Sequence, residues 1–199
     1  MTLKNYFFIF LLSIILASCL RNQSAKFSNP PNTKPLVNGK FLDVSYIECL
    51  HVLEFLYCLQ QDPNSQELYK RIKPKTDSLV FGQYILNYTD YRFRFYPMPV
   101  SKELAIEYCK WRGAVVTHLK NFGEKRPHTL YSEIIRQNKE AKFIIKYSIP
   151  TAGELQIPYK YKTEFRNYDT RFMTYEVLNH ESTDTTKLYL LRCIATIER

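Results

Sequence analysis

The 199-residue chain contains only five glycines, no two of them adjacent and none after Gly153. It has one tryptophan, and its four histidines, His51, His118, His128 and His180, lack metal-ligand spacing. No G-x-S-x-G, no H-E-x-x-H and no phosphate-cradling glycine loop occurs. These gaps exclude the serine-hydrolase elbow, the zinc-protease helix and the P-loop as local motifs. Asp62, Asp77, Asp90, Asp169 and Asp184 could include calcium ligands but form no dense acidic loop, so calcium binding stays open. Charge of one sign is never concentrated. The formal net charge is +9, yet no block of five like charges appears and the bases are interspersed with acids, as on a solvated surface.

The amino terminus is the first positive signal. Lys4 precedes an apolar run from Tyr6 to Ala17, which is shorter than the roughly 20 residues that span a bilayer and has the anatomy of a signal peptide. The run ends in Leu16-Ala17-Ser18-Cys19, which resembles the bacterial lipobox. Residues 1–18 are accordingly expected to be cleaved and Cys19 to carry the lipid that holds the chain to a membrane. That places the protein in the bacterial cell envelope, at the outer membrane, and makes nucleic acid a poor partner. Residues 19–40 are rich in Asn, Ser, Lys and Pro and read as a flexible tether. Residues 41–199 are long enough for one domain with its own core.

Within that domain, Tyr96 to Arg112 carries the clearest pattern. Pro97 and Pro99 hold an extended approach, and Ser101 is the expected N-cap of a helix. Leu104, Tyr108, Trp111, Val115 and Leu119 then recur at helical steps and predict one buried stripe. Leu50, Leu53, Phe55, Leu56 and Leu59 predict an earlier apolar helix, with Ser45 and Glu48 as a capping box. Residues 61–90 read as an irregular connection. Alternation predicts strands over Tyr91–Phe95, Phe143–Ile149, Ile157–Tyr161 and Met173–Val177, and the run KLYLLRCIATI predicts a strand buried on both faces. Leu130, Ile134 and Ile135 suggest a second helix after the Asn121–His128 loop.

The helix residues Val100, Ser101, Glu103, Ala105, Tyr108, Cys109, Trp111 and Arg112 resemble the V-S-x-E-x-A-x-x-Y-C-x-W-R helix of the formylglycine-generating-enzyme, or sulfatase-modifying-factor, superfamily. The lipoprotein branch, typified by gliding-motility and type IX secretion lipoproteins, is the nearest in pattern. Flanking matches follow in the same order. Asp43, Ile47, Glu54, Phe55, Leu56 and Tyr57 match an upstream segment, Pro150, Thr151 and Glu154 match R-L-P-T-E-A-E-W-E, and Arg192 and Cys193 match the terminal G-F-R-C. The resemblance implies an α+β, compact, loop-rich fold related to the C-type lectins. It makes Tyr108, Trp111, Arg112, Pro150, Thr151, Glu154 and Arg192 the candidate binding or structural residues.

The family's enzymes join a glycine-rich R-G-G core to two reactive cysteines that bind copper. Here the core segment is short and free of glycine, and Cys193 is its single cysteine, so no catalytic residue, cofactor or metal is expected. Cys49 and Cys58 would lie about 13.5 Å apart along one helix, too far to bridge. A Cys109–Cys193 bridge stays open beside two buried thiols. The reading that follows is a non-catalytic, lipid-anchored scaffold or binding component of an envelope assembly, with an envelope protein as partner. A glycan-binding surface lipoprotein is the alternative. A copper-dependent cysteine-oxidising enzyme requires Cys193 to meet a second cysteine in space.

Overall fold

The computed structural model describes residues 29–75, 78–81, 84–87, 89–91, 94–123, 130–156 and 176–199. The signal peptide and Cys19, the residues Asp77, Gly82, Arg92, Phe93, His128 and Asp169, the strand Ile157–Tyr161 and most of the strand Met173–Val177 lie outside them. The architecture is α+β. Four strands, β1 (Thr33–Pro35), β2 (Phe41–Asp43), β5 (Ile144–Ser148) and β6 (Ile194–Glu198), form one antiparallel sheet in the order β1-β2-β6-β5. A separate hairpin pairs β3 (Ser78–Phe81) with β4 (Tyr84–Asn87). The helices are α1 (Cys49–Gln61), α2 (Gln66–Ile72), α3 (Lys102–Phe122), α4 (Tyr131–Gln137) and α5 (Ala152–Gln156). No helix among the described residues is long and apolar enough to cross a membrane.

Helix α3 organises the packing. Ser101 caps it as expected, its hydroxyl accepting the Leu104 N–H at 3.2 Å, and Gly123 closes it in the left-handed conformation at φ 72°. The predicted stripe is only half right. Leu104, Tyr108 and Trp111 are buried, but Val115 and Leu119 are half-buried, and burial passes instead to Ala105, Cys109, Gly113 and Thr117. This second stripe, at steps of four, is made of small residues, and it lets α3 lie directly on β5. Thr117 Oγ1 accepts the Ile145 N–H at 2.8 Å and donates to the Ile145 carbonyl at 3.3 Å. Asn121 does the same work one turn on, with its Nδ2 donating to the Phe143 carbonyl and its Oδ1 accepting from Lys142 and Phe143.

The approach at Gly113 leaves no room for a side chain. A Cβ there would lie 2.9 Å from the Ile145 carbonyl oxygen, and backbone cannot swing aside as a flexible side chain can. Gly113→Val is therefore expected to lose about 2–3 kcal/mol of stability by overpacking. Urea unfolding of the two proteins measures it, and an unchanged midpoint would refute the close contact.

Several expectations are corrected. The segment read as a tether is folded from Thr33, because β1 pairs with β2 through Thr33–Asp43, Lys34–Leu42 and Pro35–Phe41. A three-residue strand containing proline shows no alternation that periodicity can detect. Ser45 and Glu48 make no capping box. Helix α1 starts at Cys49, where the Cys49 and Leu50 N–H groups donate to the Tyr96 and Arg94 carbonyls at 2.9 Å each. A distant loop does the capping. Tyr91 is in a 3-10 turn and Arg94 and Phe95 are in a turn, not in a strand, and Arg94 stacks on the Tyr91 and Phe95 rings. Residues 61–90 hold α2 and the β3–β4 hairpin. Of KLYLLRCIATI, only Ile194 onward is in the ladder, and Tyr189 and Leu190 make single bridges to Val100 and Val177.

Asp62 ties three helices together. Its carboxylate, fully buried, accepts the Asn64 N–H at 3.0 Å, the Ser132 N–H at 2.7 Å and the Ser65 and Ser132 hydroxyls. Burial alone would raise its pKa, but these donors outweigh burial and hold it below the usual carboxylate value. A depressed carboxylate stabilises the fold above its unfolded pKa of about 3.9 and stops doing so as pH falls through the folded value. Asp62→Asn is therefore expected to be less stable at pH 7 and to lose less on going from pH 5 to pH 2 than the parent. Parallel slopes in a pH series of thermal melts would overturn this.

Candidate functional site

The residues singled out by sequence do not form one site. Pro150, Thr151 and Glu154 serve the start of α5. Thr151 Oγ1 accepts the Glu154 N–H at 3.2 Å and Glu154 Oε2 accepts the Thr151 N–H at 2.8 Å, a capping box. Glu154 also meets Lys40 at 2.6 Å, and Pro150 is buried with its carbonyl accepting from the His180 N–H. Burial opposes ionisation of Glu154, but Lys40 and Thr151 more than offset it and lower its pKa. The element is structural.

Arg112 and Arg192 do converge, on a residue that the upstream match contained but the candidate site did not, and Tyr108 and Trp111 pack on each other in the same cleft as Arg112. Asp43, at the end of β2, is fully buried. Arg112 holds its carboxylate in a fork, Nη1 to Oδ2 at 2.7 Å and Nη2 to Oδ1 at 2.8 Å, and Nη2 also donates to the Pro31 carbonyl. From the other side Arg192 donates through Nε (3.1 Å) and Nη2 to the Asp43 carbonyl. The Cys193 N–H then finds its acceptor in Asp43 Oδ2 at 2.8 Å, while the Asp43 N–H donates to the Cys193 carbonyl. One side chain thus replaces a main-chain acceptor where the β2–β6 ladder ends. The sequence signal was there: a carboxylate at the inner end of an apolar strand needs a cation, and Arg112 follows the buried pair Tyr108 and Trp111 on α3.

The aromatic groups pack around this centre. Phe55, Tyr108 and Trp111 touch one another with centroids 5.4–5.9 Å apart, and the Arg112 guanidinium lies 4.2 Å from the Tyr147 ring centroid. Burial would lower the Arg112 pKa, but Asp43 more than compensates, so the guanidinium is held charged.

Beneath the ion pair, Cys109 Sγ and Cys193 Sγ are 3.1 Å apart, both buried and both free thiols. Burial pushes the Cys193 thiol well up, and the neighbouring Cys109 and Asp43 push the same way. A thiol so held is a poor nucleophile at neutral pH. Cys49 and Cys58 do not bridge, and no group of three or more His, Cys, Asp or Glu among the described residues is arranged to hold a metal.

Above the ion pair a cleft of about 470 Å³ opens, with Trp111, Tyr108 and Arg112 in its floor and Glu48, Glu54 and His51 on the α1 wall. His51 Nδ1 is buried there without a hydrogen-bond partner among the described residues. Trp111 is only 8% exposed and Tyr108 only 3%, so neither offers an open ring face. Compared with protein-family models, curated proteins and solved structures, the chain matches none, and the formylglycine-type resemblance stands on the residues quoted for it.

Proposed function

We propose that this chain is a lipid-anchored protein of the bacterial cell envelope that works by binding, as a scaffold component of an envelope assembly, and not by catalysis. The observation that carries this reading is the use made of the motif residues. Arg112 and Arg192 are spent on Asp43, and Cys109 and Cys193 are sealed below them with burial raising the Cys193 thiol. The two cysteines do meet, which the copper reading required, but a substrate thiol has no path to them without opening the core. The fold proposed is a shortened formylglycine-generating-enzyme-like, lectin-related domain, and the assembly is of gliding-motility or type IX secretion kind by resemblance alone. The anchor is the lipid on Cys19, at the outer membrane.

In-cell cross-linking of the tagged protein tests the proposal. One stoichiometric envelope protein should co-purify from the membrane fraction and disappear when Cys19→Ala releases the chain. Recovery of free protein alone, under cross-linkers of several lengths, would sink it. Glycan binding is the second reading, favoured by the carboxylates of the 470 Å³ cleft and by His51 Nδ1, which has no hydrogen-bond partner among the described residues. It predicts saturable sugar binding that His51→Ala and Glu54→Gln weaken.

A further inference from the structure

A second cleft, on the opposite wall of α1, has a different chemistry. Its volume is about 610 Å³, and it runs between α1 and the end of α2. Leu53, Leu56 and two tyrosines, Tyr57 and Tyr69, supply the apolar part. Lys70, Arg71, Lys73 and Lys75 supply most of the polar part, and among the described residues no carboxylate lines it. Part of this charge has a structural explanation, since Lys70 and Arg71 lie in the last turn of α2, where cations suit the helix dipole. Lys73 and Lys75 lie beyond the helix, and the dipole does not account for them.

The cations differ in how they are held. Arg71 Nε is fixed by Glu103 on α3 at 2.7 Å, and the Lys73 ammonium lies 5.7 Å from the Tyr69 ring centroid. Lys70 and Lys75 make no ion pair among the described residues. Tyr57 is 62% exposed, so a ring face is open to whatever enters. Three lysines line this one cleft, and a dianionic ligand entering it can take charge-assisted hydrogen bonds from their ammonium groups. The tyrosines beside them suit a flat or ring-shaped group.

We infer that this cleft binds a phosphorylated sugar, with the phosphate between Lys70, Lys73 and Lys75 and the sugar ring against Tyr57. The inference is independent of the envelope reading. The sugar phosphate can be a free metabolite or the head group of a lipid, and the experiment separates the two.

The chain from residue 19 onward, which holds all the described residues, with Cys19→Ser so that it carries no lipid, is titrated calorimetrically with glucose 6-phosphate, glucose and inorganic phosphate at low and at moderate salt. Saturable binding of glucose 6-phosphate is expected, weaker for inorganic phosphate, undetectable for glucose, and weakening as salt rises. Lys70→Gln with Lys75→Gln should weaken it about tenfold, as two partly exposed ion pairs would. Tyr57→Ala should weaken glucose 6-phosphate and leave inorganic phosphate unchanged. These residues are exposed, so circular dichroism should show all variants folded. Equal affinity for glucose 6-phosphate and inorganic phosphate removes the sugar, and unchanged affinity in the lysine variant removes the cleft. A head-group source is read from co-sedimentation with vesicles carrying a phosphorylated glycolipid, competed by glucose 6-phosphate. Binding to phosphatidylglycerol vesicles without any binding of glucose 6-phosphate would overturn the assignment in favour of a plain membrane surface.

Discussion

Replacing Asp43 by Ala should remove about 3–5 kcal/mol of stability, the largest loss expected from any single substitution described above. The loss does not measure the strength of one salt bridge. It arises because Arg112, a buried cation, is left with the Pro31 carbonyl and the Tyr147 ring face and loses its countercharge, and because the Cys193 N–H loses its acceptor in the core. Asp43→Asn keeps the shape and part of the hydrogen bonding, so it should fall between parent and Ala. Arg112→Met in the Asp43→Ala background should recover part of the loss, since the unpaired charge is then gone. A double-mutant cycle by urea unfolding gives the coupling. A loss below about 1 kcal/mol for Asp43→Ala would show that water reaches Arg112 and replaces the carboxylate.

Oxidation of the Cys109–Cys193 pair is the second large effect. The sulfurs are already 3.1 Å apart, so a bridge asks for a small rotation at each side chain. Both thiols give up a proton and an electron to a small-molecule disulfide such as oxidised glutathione, which leaves as two thiols. The new bond closes a loop across 84 positions, which in the chain-entropy picture stabilises by about 4–5 kcal/mol. Melting of the oxidised protein should shift up by roughly 10 °C, and reductant or Cys193→Ser should cancel the shift. Because burial keeps the Cys193 thiol protonated, the native protein should oxidise slowly, and protein refolded with oxidised glutathione quickly. Full alkylation of both cysteines after such refolding would mean that no bridge forms.

How much of this was legible in the chain differs from element to element. The start of α3 was, because Ser101 caps it through a purely local bond. So was β5, whose alternation the structure reproduces with Ile145 and Tyr147 inward and Ile144, Lys146 and Ser148 outward. What failed depended on partners far away in sequence. The start of α1 is capped from Arg94 and Tyr96, more than forty positions on, and no local signature can announce that. The site failed in the same way. Arg112 and Arg192 were visible as motif residues, but their meaning lies in Asp43, separated from them by 69 and 149 positions. The small-residue stripe Ala105-Cys109-Gly113-Thr117 was overlooked because a hydrophobicity pattern gives weight to bulk, and here closeness mattered more.

That closeness has a further outcome for recognition. With Thr117 and Asn121 occupying the outward amide and carbonyl groups of Ile145 and Phe143, the β5 margin of the four-stranded sheet cannot accept an incoming strand. The other margin, β1, is three residues long and ends in Pro35, which has no N–H to offer. Among the described residues, neither margin of that sheet presents a long row of free backbone groups to another molecule, which works against fibrous association. Any protein that docks on the four-stranded sheet must therefore be selected by side chains on its faces and not by strand addition.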